Sequence, residues 1–244
     1  MIYRFVVSLF LAACVALPAA ALEPQEILAK VDRNLNPESF ESYRKLINIE
    51  PDGTRKEFVL FSAKKGTDNV IGLFLAPASD KGRSTLRQGE NMWLFIPDVG
   101  RPLRITSLQS VTGGIFNNAD ILRVDYSAEY IAEQVEEQGE SLTLRLKART
   151  GSVAYDRLVM TVDKATLLPV TIEAHAASGM LIKTLRFKKV KDFGDGIVRP
   201  SVVETDSPLH KGYSSVMIFG KINKRDFRDE VFTLSYLPRA KELR

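Results

Sequence analysis

The stretch Ser141-Leu142-Thr143-Leu144-Arg145-Leu146-Lys147 alternates polar and apolar side chains without a break. The same period of two returns in Arg157-Leu158-Val159-Met160-Thr161-Val162 and in Val170-Thr171-Ile172-Glu173-Ala174-His175. Successive side chains of a strand point to opposite faces. Leu144, Leu146, Leu158, Met160, Val162, Val170, Ile172 and Ala174 therefore share an apolar face, and the residues between them a wetter one. Strands that are half apolar and half wet belong to antiparallel sheets. Turn formers punctuate this region at Asp163-Lys164-Ala165, Ser178-Gly179, Gly194-Asp195-Gly196 and Lys211-Gly212.

Toward the N-terminus, residues 41–50 and 55–64 flank Pro51-Asp52-Gly53, and Asp68–Leu75 reads as a third strand. Asn91–Ile96 and Leu103–Ser107 flank Pro97-Asp98-Val99-Gly100. About ten strands follow one another at the spacing of a sandwich or barrel. No long helical crossover interrupts them, which excludes a doubly wound parallel sheet. One helix precedes the strands. Pro24 suits a first helical position, and Ile27, Leu28, Val31 and Leu35 fall on one helical face. It is either a helix packed on the sheet or a lid over a cavity. An apolar face of this extent must be covered, and a sheet of about ten strands can curl into a barrel that side chains alone need not fill. The expected fold is mainly β: a single antiparallel domain over residues 22–244, a barrel or an unclosed barrel, with the N-terminal helix at its mouth. Such a cage suits a small hydrophobic ligand.

The chain has 244 residues, 45% hydrophobic and 26% charged, which excludes a disordered chain. Lys and Arg outnumber Asp and Glu by 34 to 30, too small an imbalance to indicate nucleic acid. Arg4, the apolar run Phe5–Leu17, Pro18 and Ala19-Ala20-Ala21 have the layout of a signal peptide. The run is shorter than the roughly 20 residues a bilayer span needs. Cleavage is expected after Ala21, with release into the periplasm. The one cysteine, Cys14, lies in this segment. Leu11-Ala12-Ala13-Cys14 also matches a lipid-attachment motif, so anchoring at Cys14 is the alternative. Either way, the folded part has no thiol for a disulfide, a nucleophile or a metal.

Signals of reaction chemistry are sparse. His175 falls on the polar face of its strand and His210 in a turn, neither with a partner at metal-ligand or triad spacing. No phosphate loop, nucleophile elbow or zinc motif occurs, and Gly113-Gly114 reads as a tight turn. Glu133, Glu136, Glu137 and Glu140 read as charged edges around a turn rather than as a carboxylate pair for glycoside hydrolysis. Lys183, Arg186, Lys188, Lys189 and Lys191 read as the outward face of an edge strand, with contact to phosphates of lipid or nucleic acid as the alternative. No catalytic residue, metal or cofactor is expected.

The central segment carries a set of motifs: Ala76-Pro77-Ala78-Ser79-Asp80-Lys81-Gly82, Trp93-Leu94-Phe95-Ile96-Pro97, Arg101-Pro102-Leu103-Arg104-Ile105 and Gly114-Ile115-Phe116-Asn117-Asn118-Ala119-Asp120-Ile121. In this order, after an export signal, they resemble the outer membrane lipoprotein-sorting group, relatives of the periplasmic carrier LolA. Asn117-Asn118 departs from the aromatic and acid more common there. The resemblance implies an unclosed barrel plugged by helices, with a cavity that holds acyl chains of a lipoprotein or lipid without catalysis. It also implies delivery toward an outer-membrane acceptor, beside an exporter of the RND type. Trp93, Phe95, Phe116, Leu144, Leu146, Leu158, Met160 and Ile172 are the candidate lining, with ordinary core packing as the other reading of each. A soluble transporter adaptor with a filled core, and a hydrolase, are the competing functions.

Overall fold

The protein, a computed structural model, is described over residues 23–244; the segment read as an export signal, with Cys14 and the expected cut after Ala21, lies outside the described residues. Helix α1 spans Pro24–Leu35. Six strands follow: β1 (Ser39–Ile49), β2 (Arg55–Lys65), β3 (Asn69–Ala76), β4 (Ser84–Gln88), β5 (Asn91–Phe95) and β6 (Pro102–Ile105). Two single-turn helices, α2 (Asn118–Ile121) and α3 (Tyr126–Glu129), precede β7 (Tyr130–Gln138) and β8 (Ser141–Ala148). Then come β9 (Arg157–Asp163), β10 (Pro169–His175), β11 (Leu181–Asp192), β12 (Val198–Asp206) and β13 (Ser214–Lys224).

These thirteen strands, rather than about ten, form one antiparallel sheet in the order β6-β5-β4-β3-β2-β1-β13-β12-β11-β10-β9-β8-β7. Every connection but one is a hairpin between neighbours. The exception runs from β6 at one edge to β7 at the other, so residues 106–129 must cross the sheet. The two meanders meet where β1 pairs β13, Leu46 opposite Met217. The sheet is strongly curled but not closed, as expected of a sheet this wide.

The concave face holds the larger core. Ile27, Leu28, Val31 and Leu35 of α1 are buried there, as their spacing predicts, against Phe58, Phe74, Leu144, Leu158, Met160 and Ile172. The crossover packs into the same core through Phe116, Ile121 and Leu122. A second core lies on the convex side. There the C-terminal strap, with 3-10 turns at Asp229–Phe232 and Leu237–Leu243, covers Phe61, Ile71, Leu73, Leu86 and Phe95. Strands β2 to β5 are thus buried on both faces, unlike the half-wet strands β8 to β10.

Two sequence expectations need correction. Val170 leaves the apolar face. The pairing jumps from Pro169–Val162 to Thr171–Thr161, and the extra residue turns outward, 43% exposed. The basic strand β11 is interior, between β10 and β12, and not an edge. Arg186 and Lys188 do face outward, each paired at 2.6 Å with Asp206 and Glu204. Lys189 takes a left-handed backbone conformation, with φ 55°, and Lys183 turns inward, 4% exposed. One residue of offset decides this: Lys183 shares parity with Leu185 and Phe187, not with Arg186 and Lys188.

The true edge strand β7 carries the acidic run. Glu136 pairs with Arg145 at 3.1 Å, Glu137 with Lys164, and Glu133 reaches Lys147 and Arg157 at 4.0 and 3.9 Å. Charges on an exposed edge discourage pairing with a second chain. All these partners are well exposed, so Glu137→Gln is expected to change the unfolding free energy by less than about 1 kcal/mol, read by urea denaturation. A larger loss in that titration would mean the edge is less exposed than described.

Candidate ligand-binding cavity

Strand β1 points its even-numbered residues at the concave side, alternating grease and polarity: Phe40, Ser42, Arg44, Leu46 and Asn48 are buried. Between this face, α1 and the crossover lies a cavity of about 70 Å³. Its wall is largely apolar, with Leu35, Phe40, Val70, Phe116, Leu185, Phe187, Val203, Met217 and Phe219. Arg44 and Arg199 project into it from β1 and β12. A volume of this size holds several water-sized groups, whereas a dozen methylenes, each about as large as a water molecule, need several times more. The cage is therefore mostly filled, and an extended acyl chain fits only if the cover moves.

The cover is held to the sheet by hydrogen bonds from the two arginines. Arg44 Nη1 donates to the Ile121 carbonyl at 2.9 Å, at the end of α2, and lies 3.8 Å from Met217 Sδ. Its Nη2 donates to Ser62 Oγ. Arg199 Nη1 donates to the Leu35 carbonyl at 2.6 Å and to Asn36 Oδ1 at 2.5 Å, where α1 ends. The negative end of the α1 dipole favours a cation at this place. Burial pulls both guanidinium groups down to about 10, and the neighbouring Arg44 charge adds to the effect at Arg199. Both remain charged at neutral pH.

A second set of polar groups anchors the crossover. The Asn117 side chain accepts from the Asp120 N–H, and the Asp120 side chain accepts from the Asn117 N–H, a reciprocal cap at the start of α2. Asp120 also receives Lys183 Nζ at 2.8 Å, Arg123 at 2.9 Å and the Tyr155 hydroxyl at 3.1 Å. Burial alone would raise the Asp120 carboxyl, but the Lys183 and Arg123 charges outweigh it and hold the carboxyl below its usual range. Lys64 pairs with Asp125 at 2.9 Å, and Arg87 with Glu129. Gly114 completes the seat: a Cβ there would lie 1.9 Å from Asn48 Oδ1, so only glycine lets the crossover approach β1 this closely.

The candidate lining residues separate into three groups. Phe116 lines the cavity. Leu144, Leu146, Leu158, Met160 and Ile172 are buried in the concave core but away from the cavity wall. Trp93 and Phe95 belong to the convex core beneath the C-terminal strap, on the opposite side of the sheet. His175 bonds Glu173 and the Gly179 carbonyl, and His210 sits in an exposed turn. The two arginines and the Asp120 array escaped the sequence reading. The signal present was one of parity, since Arg44 stands midway between Leu46 and Ser42 on the face of Phe40. Among the described residues no group of three or more His, Asp and Glu is arranged to hold a metal, and no helix is long and apolar enough to cross a membrane.

Comparison with known proteins agrees with the architecture. A family model described as an uncharacterized protein matches residues 66–239. No curated protein matches the sequence. Among solved structures, a LolA superfamily protein from Nitrosomonas europaea is 29% identical, covering 89% of this chain and 100% of its own, with a TM-score of 0.80. A DUF1329 family protein from Desulfovibrio piger is 21% identical over 88% of this chain and 97% of its own, with a TM-score of 0.74. An outer membrane lipoprotein-sorting protein domain from Vibrio parahaemolyticus is 18% identical over 88% and 98%, with a TM-score of 0.73. The last two speak for the fold alone.

Proposed function

Since this chain belongs to the family whose model spans residues 66–239 and is LolA-like in fold, we propose that it is a periplasmic carrier that binds acyl chains of a lipoprotein or lipid against its concave face and hands them toward the outer membrane. The observation that carries this reading is the seam between sheet and cover. Apolar side chains line it, and beside the cavity the cover is tied to the sheet by arginine hydrogen bonds to backbone carbonyls at α1 and α2, while the ion pairs of Asp120, Asp125 and Glu129 anchor the rest of the crossover. A neutral hydrogen bond contributes about 1 kcal/mol net and one from a charged donor about 1.5–3. Each buried methylene returns about 0.8 kcal/mol, so a chain of a dozen carbons has ample free energy to displace such contacts. A cargo of this kind is bound by area rather than by shape, and needs no catalytic group. An exporter of the RND type as donor and an outer-membrane acceptor complete the proposal.

Delipidated protein should take up a fluorescent fatty acyl probe with micromolar or tighter affinity, and native mass spectrometry of protein from its source should show co-bound acyl species. A chain that never takes up the probe is not a carrier. A second reading has a specific observation in its favour. The concave core is packed, with Leu144, Met160 and Ile172 each fully buried among neighbours, as expected of an adaptor that docks on a transporter with a filled interior. That reading predicts capture of a transporter without any acyl uptake.

A further inference from the structure

We propose that Arg44 and Arg199 form a recognition site for an anionic head group, a carboxylate or a phosphate, carried by an amphiphile whose chain lies along the apolar wall of the same cavity. The chain part rests on the carrier reading; the anion part stands on the arginines.

The fold pairs the other cations buried in this region with acids. Lys64 has Asp125, Arg87 has Glu129, and Arg123 and Lys183 share Asp120. Arg44 and Arg199 are as deeply buried, 7% and 4% exposed, yet all their partners among the described residues are neutral: carbonyls, a hydroxyl, an amide and a thioether. Asp120 is the one acid of the cavity wall, and it is already engaged by Lys183 and Arg123. Arg44 Nε is buried without any acceptor. An uncompensated buried charge costs several kcal/mol, and folds keep such groups where a ligand uses them.

The geometry places the two charges together. Arg44 on β1 is in register with Phe219 on β13, and Arg199 on β12 flanks that ring from the other neighbouring strand. The guanidinium groups lie 5.8 and 4.3 Å from the ring centroid. Planar guanidinium forks match carboxylate and phosphate oxygens and bind them more strongly than neutral acceptors. About 70 Å³ suits such a head and the first atoms of its chain. The same arginines hold Ile121 of the crossover and Leu35 of α1. An anion drawing them into charge-assisted bonds would weaken the hold on the cover as the chain enters.

Calorimetric titration of the whole mature protein with decanoate, decanol and inorganic phosphate separates the parts of this proposal. Decanoate is expected to bind at least ten times more tightly than decanol. Arg44→Gln and Arg199→Gln should each cut that preference below threefold; because the same arginines hold the cover, the readout is the ratio of the two affinities, which a looser cover acting on both ligands alike does not move. Arg44→Lys and Arg199→Lys keep the charge and serve where a glutamine variant does not fold; they should retain part of the preference. Equal binding of decanoate and decanol overturns the anion site and leaves the carrier reading standing. A preference that survives both glutamine substitutions also overturns the site. If phosphate alone binds as tightly as decanoate, the site holds a free anion rather than a lipid head, and the carrier reading falls. If no titrant binds, both fall.

Discussion

Replacing Asp120 by alanine is expected to lower the unfolding free energy by about 3–5 kcal/mol, the usual cost of removing one partner from a buried ion pair. Asp120 is 5% exposed and serves four donors: Lys183, Arg123, the Tyr155 hydroxyl and the Asn117 N–H. Without it, Lys183 keeps the Ile115 carbonyl and the Tyr155 ring face at 5.3 Å, and Arg123 keeps Glu129 at 4.0 Å and the Tyr126 ring face at 4.6 Å. Two cations are then left in the interior with little compensation, and the start of α2 loses one half of its reciprocal cap. Urea denaturation at pH 7 reads the loss. The double variant Asp120→Ala with Lys183→Met should be less destabilised than the two single losses summed, because the second change removes a stranded charge. The pH dependence has a definite sign. A carboxyl held below its unfolded value stabilises the fold above that value and loses the contribution as pH falls through the folded one. Asp120 therefore supports the fold at neutral pH and ceases to only in strong acid. A single-variant loss below about 1 kcal/mol would show that the crossover is not anchored through this carboxylate.

The parts of this molecule that were legible in its sequence are those where water marks one face. Strands β8 and β9 alternate cleanly because their outer side chains, such as Arg145 and Lys147, are solvated, and α1 shows its stripe for the same reason. Strand β4, Ser84-Thr85-Leu86-Arg87-Gln88, has no such contrast. It is buried on both sides, by the crossover and by the C-terminal strap, so polar and apolar residues are enclosed alike. The strap itself is built of 3-10 turns and has no strand or helix period to read. Trp93 and Phe95, candidates for cavity lining or for core packing, have the parity opposite to Met92 of the concave core and so pack beneath the strap.

The site was less legible than the fold because its meaning lies in what each charge lacks or finds across the sheet. Arg44 and Arg87 are each the one arginine of their strand, and both are buried. One meets Glu129, 42 residues away, and the other meets only neutral acceptors. Nothing in their local sequence distinguishes the two. The same holds for Lys183, whose acid lies 63 residues away in the crossover. Local pattern reports which face a residue takes; the pairing of charges depends on a connection that spans the whole sheet.

Acidification from pH 7.5 to pH 4 is expected to stabilise the native protein relative to its Asp32→Asn variant by about 2 kcal/mol, out of about 3 kcal/mol for the whole shift at 1.36 kcal/mol per pKa unit. Asp32 lies on α1, 3% exposed. Its two oxygens accept the Tyr126 and Ser127 N–H groups at 2.8 and 2.9 Å, joining α1 to the first turn of α3. Among the described residues no cation pairs with it. Burial, with a smaller push from Asp125, raises its carboxyl from 3.8 to about 6 against the lowering effect of the Ser127 and Tyr126 bonds. The native state thus holds this proton more tightly than the unfolded chain does. A group of that kind weakens the fold while it is charged, above about pH 6. The penalty is relieved as pH falls through the window from about 6 to 3.8, with about half of the effect reached near pH 5. This is the reverse of the dependence expected for Asp120, so the two carboxylates are separable by pH alone. Comparing each variant with the parent cancels the surface carboxylates they share. Urea titrations of both proteins at pH 7.5, 5 and 4 give the difference directly. A difference that stays flat across the three values would mean that Asp32 is hydrated in the native state, and that α1 does not seal the concave face as tightly as its burial indicates.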